Sequence, residues 1–217
     1  VQPAVVQRHA QWFDRNDPSR PAGSQGELVA GSYLLARLEQ AGYLVKLDPV
    51  PVGNLLHSTN VIALAPSGTS STVIVVNYDT APAVPSDGAA IGTFLEVARA
   101  LRVMEPLHSV EFAALGAEHV NVDGGQVGSR SLIELLKQQS SRPQIIRLAD
   151  VANTTGPISA AGPAAASLRR AAEDLHIHLA ASGTLSRDVF ASAGFRETVI
   201  QGGPTLGPVL LSYLRHE

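Results

Sequence analysis

The run Val73-Ile-Val-Val76, entered from Thr72, constrains the fold more than any other segment. Consecutive β-branched residues bounded by polar ones read as a short strand that is apolar on both faces. Such a strand needs a layer of helices on each side. The rest of the chain supplies them. A helix is predicted over about Ala4 to Asp14, with Val5, Val6, His9 and Phe13 at helical spacing. Ser24 and Glu27 form a capping box before a second helix that carries Leu28, Leu34, Leu35 and Leu38 and stops at Gly42. Further helices are predicted over about 90–103, 129–138, 163–175, 186–193 and 206–215. Strands are predicted over 43–52, 60–65, 72–76, 109–115, 144–148 and 197–200, with a short one over 176–179. Alternating strands and helices imply an α/β three-layer sandwich around a mostly parallel, mixed sheet. No repeat period and no dividing linker interrupts it, so 1–217 reads as one domain.

Composition then narrows the chemistry. The 217 residues contain no cysteine, which excludes a disulfide scaffold, a thiolate zinc site and a thiol nucleophile. Any metal would rest on seven His and 19 carboxylates. A net charge of −3 argues against binding nucleic acid through phosphates. The longest apolar runs, Val73–Val76 and Pro208–Leu211, fall far short of the roughly 20 residues that cross a bilayer. Arginine outnumbers lysine 14 to 2 and alanine is abundant, as in a high-GC bacterial source. The chain opens at Val1 without Met or leader pattern, which is compatible with an extracytoplasmic or membrane-anchored domain whose leader is absent from this sequence.

Several stretches, taken in order, carry a resemblance. They are Arg20-Pro-Ala-Gly-Ser-Gln-Gly-Glu27, Tyr33 to Tyr43, Asn60-Val-Ile-Ala63 and Thr72 to Thr80. Gly92 to Leu101, Val110 to Glu118 with Gly128-Ser-Arg130, and Phe190-Ala-Ser-Ala-Gly-Phe195 complete the series. Together they resemble the co-catalytic zinc aminopeptidases, a family that includes glutaminyl-cyclase-like members. The resemblance implies a zinc-exopeptidase-like (phosphorylase/hydrolase-like) fold with ligands at the carboxyl ends of the parallel strands. It also implies two zinc ions that activate a bridging water while a Glu shuttles the proton.

Position by position, this sequence departs from that chemistry. By strict register the five ligand positions implied by the resemblance hold Asn77, Gly88, His119, Ala149 and Arg187. Only His119 among them is a good zinc ligand. One-residue shifts recover Asp87 and Asp150. Asp79, which in the family supports the first His, is kept without that His, and Glu118 stands at the proton-shuttle position. Without a metal, Glu118 reads as a strand-end carboxylate paired with a nearby cation. Arg187 offers one such cation for the emptied pocket, with Asp87, Glu118 or Asp150 as its partner. His176 and His178 share one face of a predicted strand, the spacing of a metal pair, and read as solvent-facing residues. His57 and His108 read as loop residues. No phosphate-binding glycine loop and no Gly-x-Ser-x-Gly elbow is present.

The expectation is therefore a pseudoenzyme: the fold kept, the zinc ligands mostly lost, the active-site loops shortened, and Glu118 a vestigial shuttle. No cofactor is expected. A protein or peptide partner is, by analogy with inactive relatives that act by binding. The alternative is a metal-dependent aminopeptidase or amide hydrolase with a rearranged, single-metal zinc site built from Asp87, His119 and Asp150.

Overall fold

A computed structural model of the chain describes residues 1–16, 18–81, 88–105, 108–120, 124–149, 158–181, 189–202 and 205–216. Among these the strands are β1 (Val45–Val52), β2 (Leu56–Ala63), β3 (Thr72–Asn77), β4 (Val110–Leu115), β5 (Gln144–Leu148), β6 (Ile158–Ala161), β7 (Leu179–Ala181) and β8 (Arg196–Gln201). The helices are α1 (Pro3–Asn16), α2 (Gln25–Gln40), α3 (Gly88–Met104), α4 (Val127–Gln138), α5 (Ala165–Asp174), α6 (Val189–Ser192) and α7 (Leu206–His216). The strands form one sheet in the order β1-β2-β4-β3-β5-β8-β6-β7. Its centre, β4-β3-β5-β8, is parallel, and β1, β2 and β6 are joined antiparallel.

β3 divides its side chains between two cores, as the two-residue period of a strand requires. Ile74 and Val76 pack with Phe112, Ala114 and Ile146 under the layer of α1, α2, α3, α5 and α7. Val73 and Val75 pack with Ala113, Leu115 and Ile145 against Leu132 and Leu136 of α4 and Phe190 of α6. The expected three-layer α/β sandwich is thus the observed one.

Three expectations need correction. β6 has no counterpart among the predicted strands, because Ile158-Ser-Ala-Ala161 is short and offers little β-branched character. The strand expected over 176–179 begins only at Leu179. His176 instead takes a left-handed backbone conformation (φ 57°) where the chain leaves α5, so His176 and His178 do not share a strand face, and both are exposed. His57 lies within β2 rather than in a loop. Of the helix predicted over 186–193, residues 186–188 lie outside the described ones and α6 occupies Val189–Ser192.

One border of the sheet and one helix crossing are set by single residues. The β1 edge of the sheet carries Pro49 and Pro51. On one helical layer, α1 crosses α3 at glycines: a Cβ on Gly88 would lie 2.9 Å from the Ala10 carbonyl oxygen, and one on Gly92 would lie 2.5 Å from that of Val6. The two helix backbones therefore touch, which fixes the first turns of α3 against α1.

This crossing yields a prediction with an inverted sign. Inside a helix, alanine is favoured over glycine by about 1 kcal/mol. Forcing a methyl against a backbone carbonyl in a packed interface costs about 1–3 kcal/mol. Gly92→Ala is expected to gain nothing and to lose up to about 2 kcal/mol in urea unfolding; a gain would show that α1 does not seat on α3 as described.

Candidate functional site

The carboxyl ends of β3 and β4 gather three buried carboxylates. Glu27, Asp79 and Glu118 expose 3, 1 and 7% of their surface. Buried charges of this kind persist only where their oxygens accept hydrogen bonds, and each of the three does so differently.

Asp79 lies two residues beyond β3. Its Oδ2 accepts the His119 backbone N–H (2.8 Å), and its Oδ1 lies 3.2 Å from the His119 ring Nδ1. The sequence leaves Asp79 without an imidazole at position 77 to support. The structure supplies one from the neighbouring strand end. A carboxylate on one ring nitrogen fixes the imidazole's orientation and tautomer.

Glu118 reaches the start of α4. Its Oε1 accepts the Ser129 N–H (2.6 Å) and its Oε2 accepts the Ser129 hydroxyl (2.9 Å). Gln126, the N-cap residue of α4, makes no side-chain capping bond. Glu118 therefore caps the helix from outside it, satisfying one of the N–H groups that a helix start leaves open. Where the sequence suggests a cation as its partner, this carboxylate meets a helix N-terminus. Burial pushes the Glu118 carboxyl up to about 7, with the Asp79 charge adding to the rise and the Ser129 bonds and His119 opposing it.

This approach depends on two glycines. A Cβ on Gly116 would fall 2.6 Å from Glu27 Oε1 and closer still to the Ser58 hydroxyl. A Cβ on Gly128 would overlap the Gly116 carbonyl and lie 3.2 Å from Glu118 Oε1. Asn60 stitches the same place, donating to the Gly128 carbonyl (3.0 Å) and accepting from the Gly116 N–H (3.2 Å). Between Gly116 and Glu118, buried Ala117 holds a left-handed φ of 54°, uncommon and mildly strained for a non-glycine residue.

Glu27 shows in the sequence only as half of a capping box. The Ser24 hydroxyl does accept the Glu27 N–H (3.1 Å), but the Glu27 carboxylate does more. It accepts from the Gly23 N–H (2.6 Å) and from the Ser58 hydroxyl. Burial raises its pKa, and the Asp79 charge is a smaller cause in the same direction. Arg20, also fully buried, stands out in the sequence only as the start of a resembling stretch. It braces the exit of β3: its Nε donates to the Tyr78 carbonyl (2.6 Å) and its N–H to the Thr80 hydroxyl (2.8 Å), on either side of Asp79. Its guanidinium also lies over the Phe13 ring at 5.1 Å. This bracing has no local sequence signal, since the partners of Arg20 are 58 and 60 residues away.

The remaining sequence candidates divide. Asn77 ends β3, and its Oδ1 is buried without a hydrogen-bond partner among the described residues. Gly88 opens α3, and a side chain there would meet α1. Ala149 comes directly after β5, its N–H donating to the Ile200 carbonyl (3.0 Å). Asp87, Asp150 and Arg187 lie outside the described residues. Among the described residues, no group of three or more His, Asp or Glu could hold a metal ion. At the ligand positions that the resemblance implies, the described residues bring one imidazole, His119, and one neutral amide, Asn77.

No family model matches the sequence, and no curated protein matches it. The fold, by contrast, has close counterparts among solved structures. A glutaminyl cyclase from Fimbriiglobus ruber superposes with a TM-score of 0.81 at 18% identity, covering 100% of this chain and 95% of that one. A leucine aminopeptidase precursor from Bacteroides thetaiotaomicron gives 0.74 at 18% identity, covering 99% and 96%. A Zn-dependent exopeptidase from Parabacteroides distasonis gives 0.70 at 19% identity, covering 92% and 82%. The chain has the fold of the zinc-dependent exopeptidases and glutaminyl cyclases.

The raised Glu118 pKa predicts a slope of stability against pH. Above the ordinary carboxylate value of 4.5 and up to about 7, the folded protein holds a proton on Glu118 that the unfolded chain has released. Stability therefore falls as pH rises through that window, by roughly 3 kcal/mol from this group, and levels off above it. Glu118→Gln cannot titrate, so its stability relative to wild type is expected to climb between about pH 5 and 7. Urea unfolding of both proteins across that range checks this; parallel curves would refute it.

Proposed function

We propose that this chain is a non-catalytic binding domain built on the zinc-exopeptidase fold, with a protein or peptide as its partner. The observation that carries this reading is how the strand-end groups are occupied. In the exopeptidase chemistry implied by the sequence resemblance, a free carboxylate moves a proton for a metal-activated water. Here the carboxylate at the shuttle position has both oxygens on Ser129 at the start of a helix. Asp79 has both of its oxygens on His119. Asn77 and Ala149, at two ligand positions, bring no charged donor. On this reading, interactions within the protein occupy the carboxylates that would otherwise support a metal-binding His and shuttle a proton, and the site serves stability. Asp87 and Arg187 belong to the same proposal, as a carboxylate and a guanidinium that would neutralise each other in the former pocket.

One observation favours a second reading. A carboxylate on one ring nitrogen of an imidazole is how metal-binding histidines are commonly oriented, and Asp79 stands so to His119. A single zinc held by His119 with Asp87 and Asp150 would make the chain a metal-dependent aminopeptidase or amide hydrolase.

Elemental analysis of the purified protein, paired with turnover of chromogenic aminoacyl substrates and of peptides with N-terminal glutamine, separates the two. The binding domain predicts zinc well below one ion per chain and no turnover above the blank. Stoichiometric zinc with turnover, both lost in His119→Ala, would overturn it in favour of the enzyme.

A further inference from the structure

A second concave site lies elsewhere, between α1, α2 and α3. It is a cleft of about 370 Å³, within the range of small-molecule sites. Arg8, Arg37 and Arg99 face it from three different helices, over a floor that includes Val5, Ala41 and Leu95. Leu95 and Arg99 stand about 10 and 16 Å along α3 from Gly88, at the helical rise of 1.5 Å per residue. The cleft is therefore separate from the carboxylate-rich strand ends.

The three guanidiniums are not equivalent. Arg99 is held by Glu96 through two bonds (2.7 and 2.9 Å), which fixes its plane and offsets its charge. Arg37 lies over the Tyr33 ring at 4.8 Å and donates to Gln40 (2.9 Å), an arrangement that steadies the group without neutralising it. Arg8 has no ion pair among the described residues. His9, hydrogen-bonded to the Tyr33 hydroxyl (2.8 Å), is pushed down to about 4 by burial and then by Arg37 and Arg8, against the opposing pull of Glu96. Burial is the largest cause of that shift, and the two arginines act in the same direction. Two arginines without a carboxylate partner, converging on a concave surface of a chain whose net charge is −3, concentrate cationic potential where an anion can enter. Planar guanidiniums with several N–H donors suit tetrahedral oxyanions.

We infer that the cleft between α1, α2 and α3 binds a small phosphorylated molecule, its phosphate held by Arg8, Arg37 and Arg99. Inorganic pyrophosphate is the probe. Calorimetric titration at about 0.1 M salt is expected to show saturable one-site binding that weakens with added salt. The double substitution Arg8→Gln and Arg37→Gln should weaken it at least tenfold. Both residues are solvent-accessible, and Arg8→Gln alone, expected to weaken binding several-fold, serves if the double variant does not keep its circular dichroism spectrum. Sedimentation with phosphatidylcholine vesicles, with and without phosphatidic acid, separates the sources of the phosphate. Arginine-dependent pelleting with phosphatidic acid, competed by pyrophosphate, supports a lipid headgroup, and binding of pyrophosphate without pelleting supports a soluble phosphate ester. Absence of saturable pyrophosphate binding to the wild type, or equal affinity in the variants, overturns the inference. The titrations use protein stripped of metal with EDTA, because pyrophosphate also ligates zinc, so neither result depends on whether the strand-end site can hold a metal.

Discussion

Taking a carboxylate out of water costs several kcal/mol unless its oxygens are met by donors, and the end of this sheet is organised around meeting that requirement three times. Glu27 is satisfied by Gly23 and Ser58, Asp79 by His119, and Glu118 by Ser129. These bonds join the ends of separate strands and helices. Glu118 fixes where α4 starts, Asp79 fixes the turn after β4, and Glu27 fixes how α2 enters. The glycines at 116 and 128 and the left-handed Ala117 are the backbone's part in bringing these donors close enough.

The same polar knot can be read as the trace of a different arrangement. In the chemistry that the resemblance implies, Asp79 would support a metal-binding His and Glu118 would serve a metal-activated water. In this chain, each of the three has backbone N–H, hydroxyl or imidazole partners instead. Keeping Asp79 and Glu118 while Asn77 stands where the resemblance implies a metal histidine is intelligible if the carboxylates now have structural partners of their own. Their retention is then not evidence of catalysis.

Much of the fold was legible because it is written in local periodicity. Val73 to Val76 could only be a strand between two layers, and the i, i+3, i+4 leucines of α2 with its capping box marked a helix. β6 escaped because four residues rich in alanine carry little strand signal. The site was legible as a set of positions but not as a set of partners. Asp79 and His119 are 40 residues apart, and no pattern in the chain says that the imidazole absent at 77 has a counterpart at 119. Arg20 and Glu27 were hidden for a related reason. Arg20 shows only as the start of a resembling stretch and Glu27 only as a helix cap, and only the fold brings them to the exit of β3.

The edges of the sheet set how this molecule can meet others. An open edge strand invites another strand to add to it. On the β1 side, Pro49 and Pro51 stand two residues apart, so both withhold an N–H on the same side of the strand. On the other side, β7 is only three residues long. Strand-to-strand growth meets missing donors at one border and, among the described residues, a short strand at the other. Association by extending the sheet is thereby disfavoured, and recognition falls more readily to clefts and loops that can be filled without lengthening the sheet.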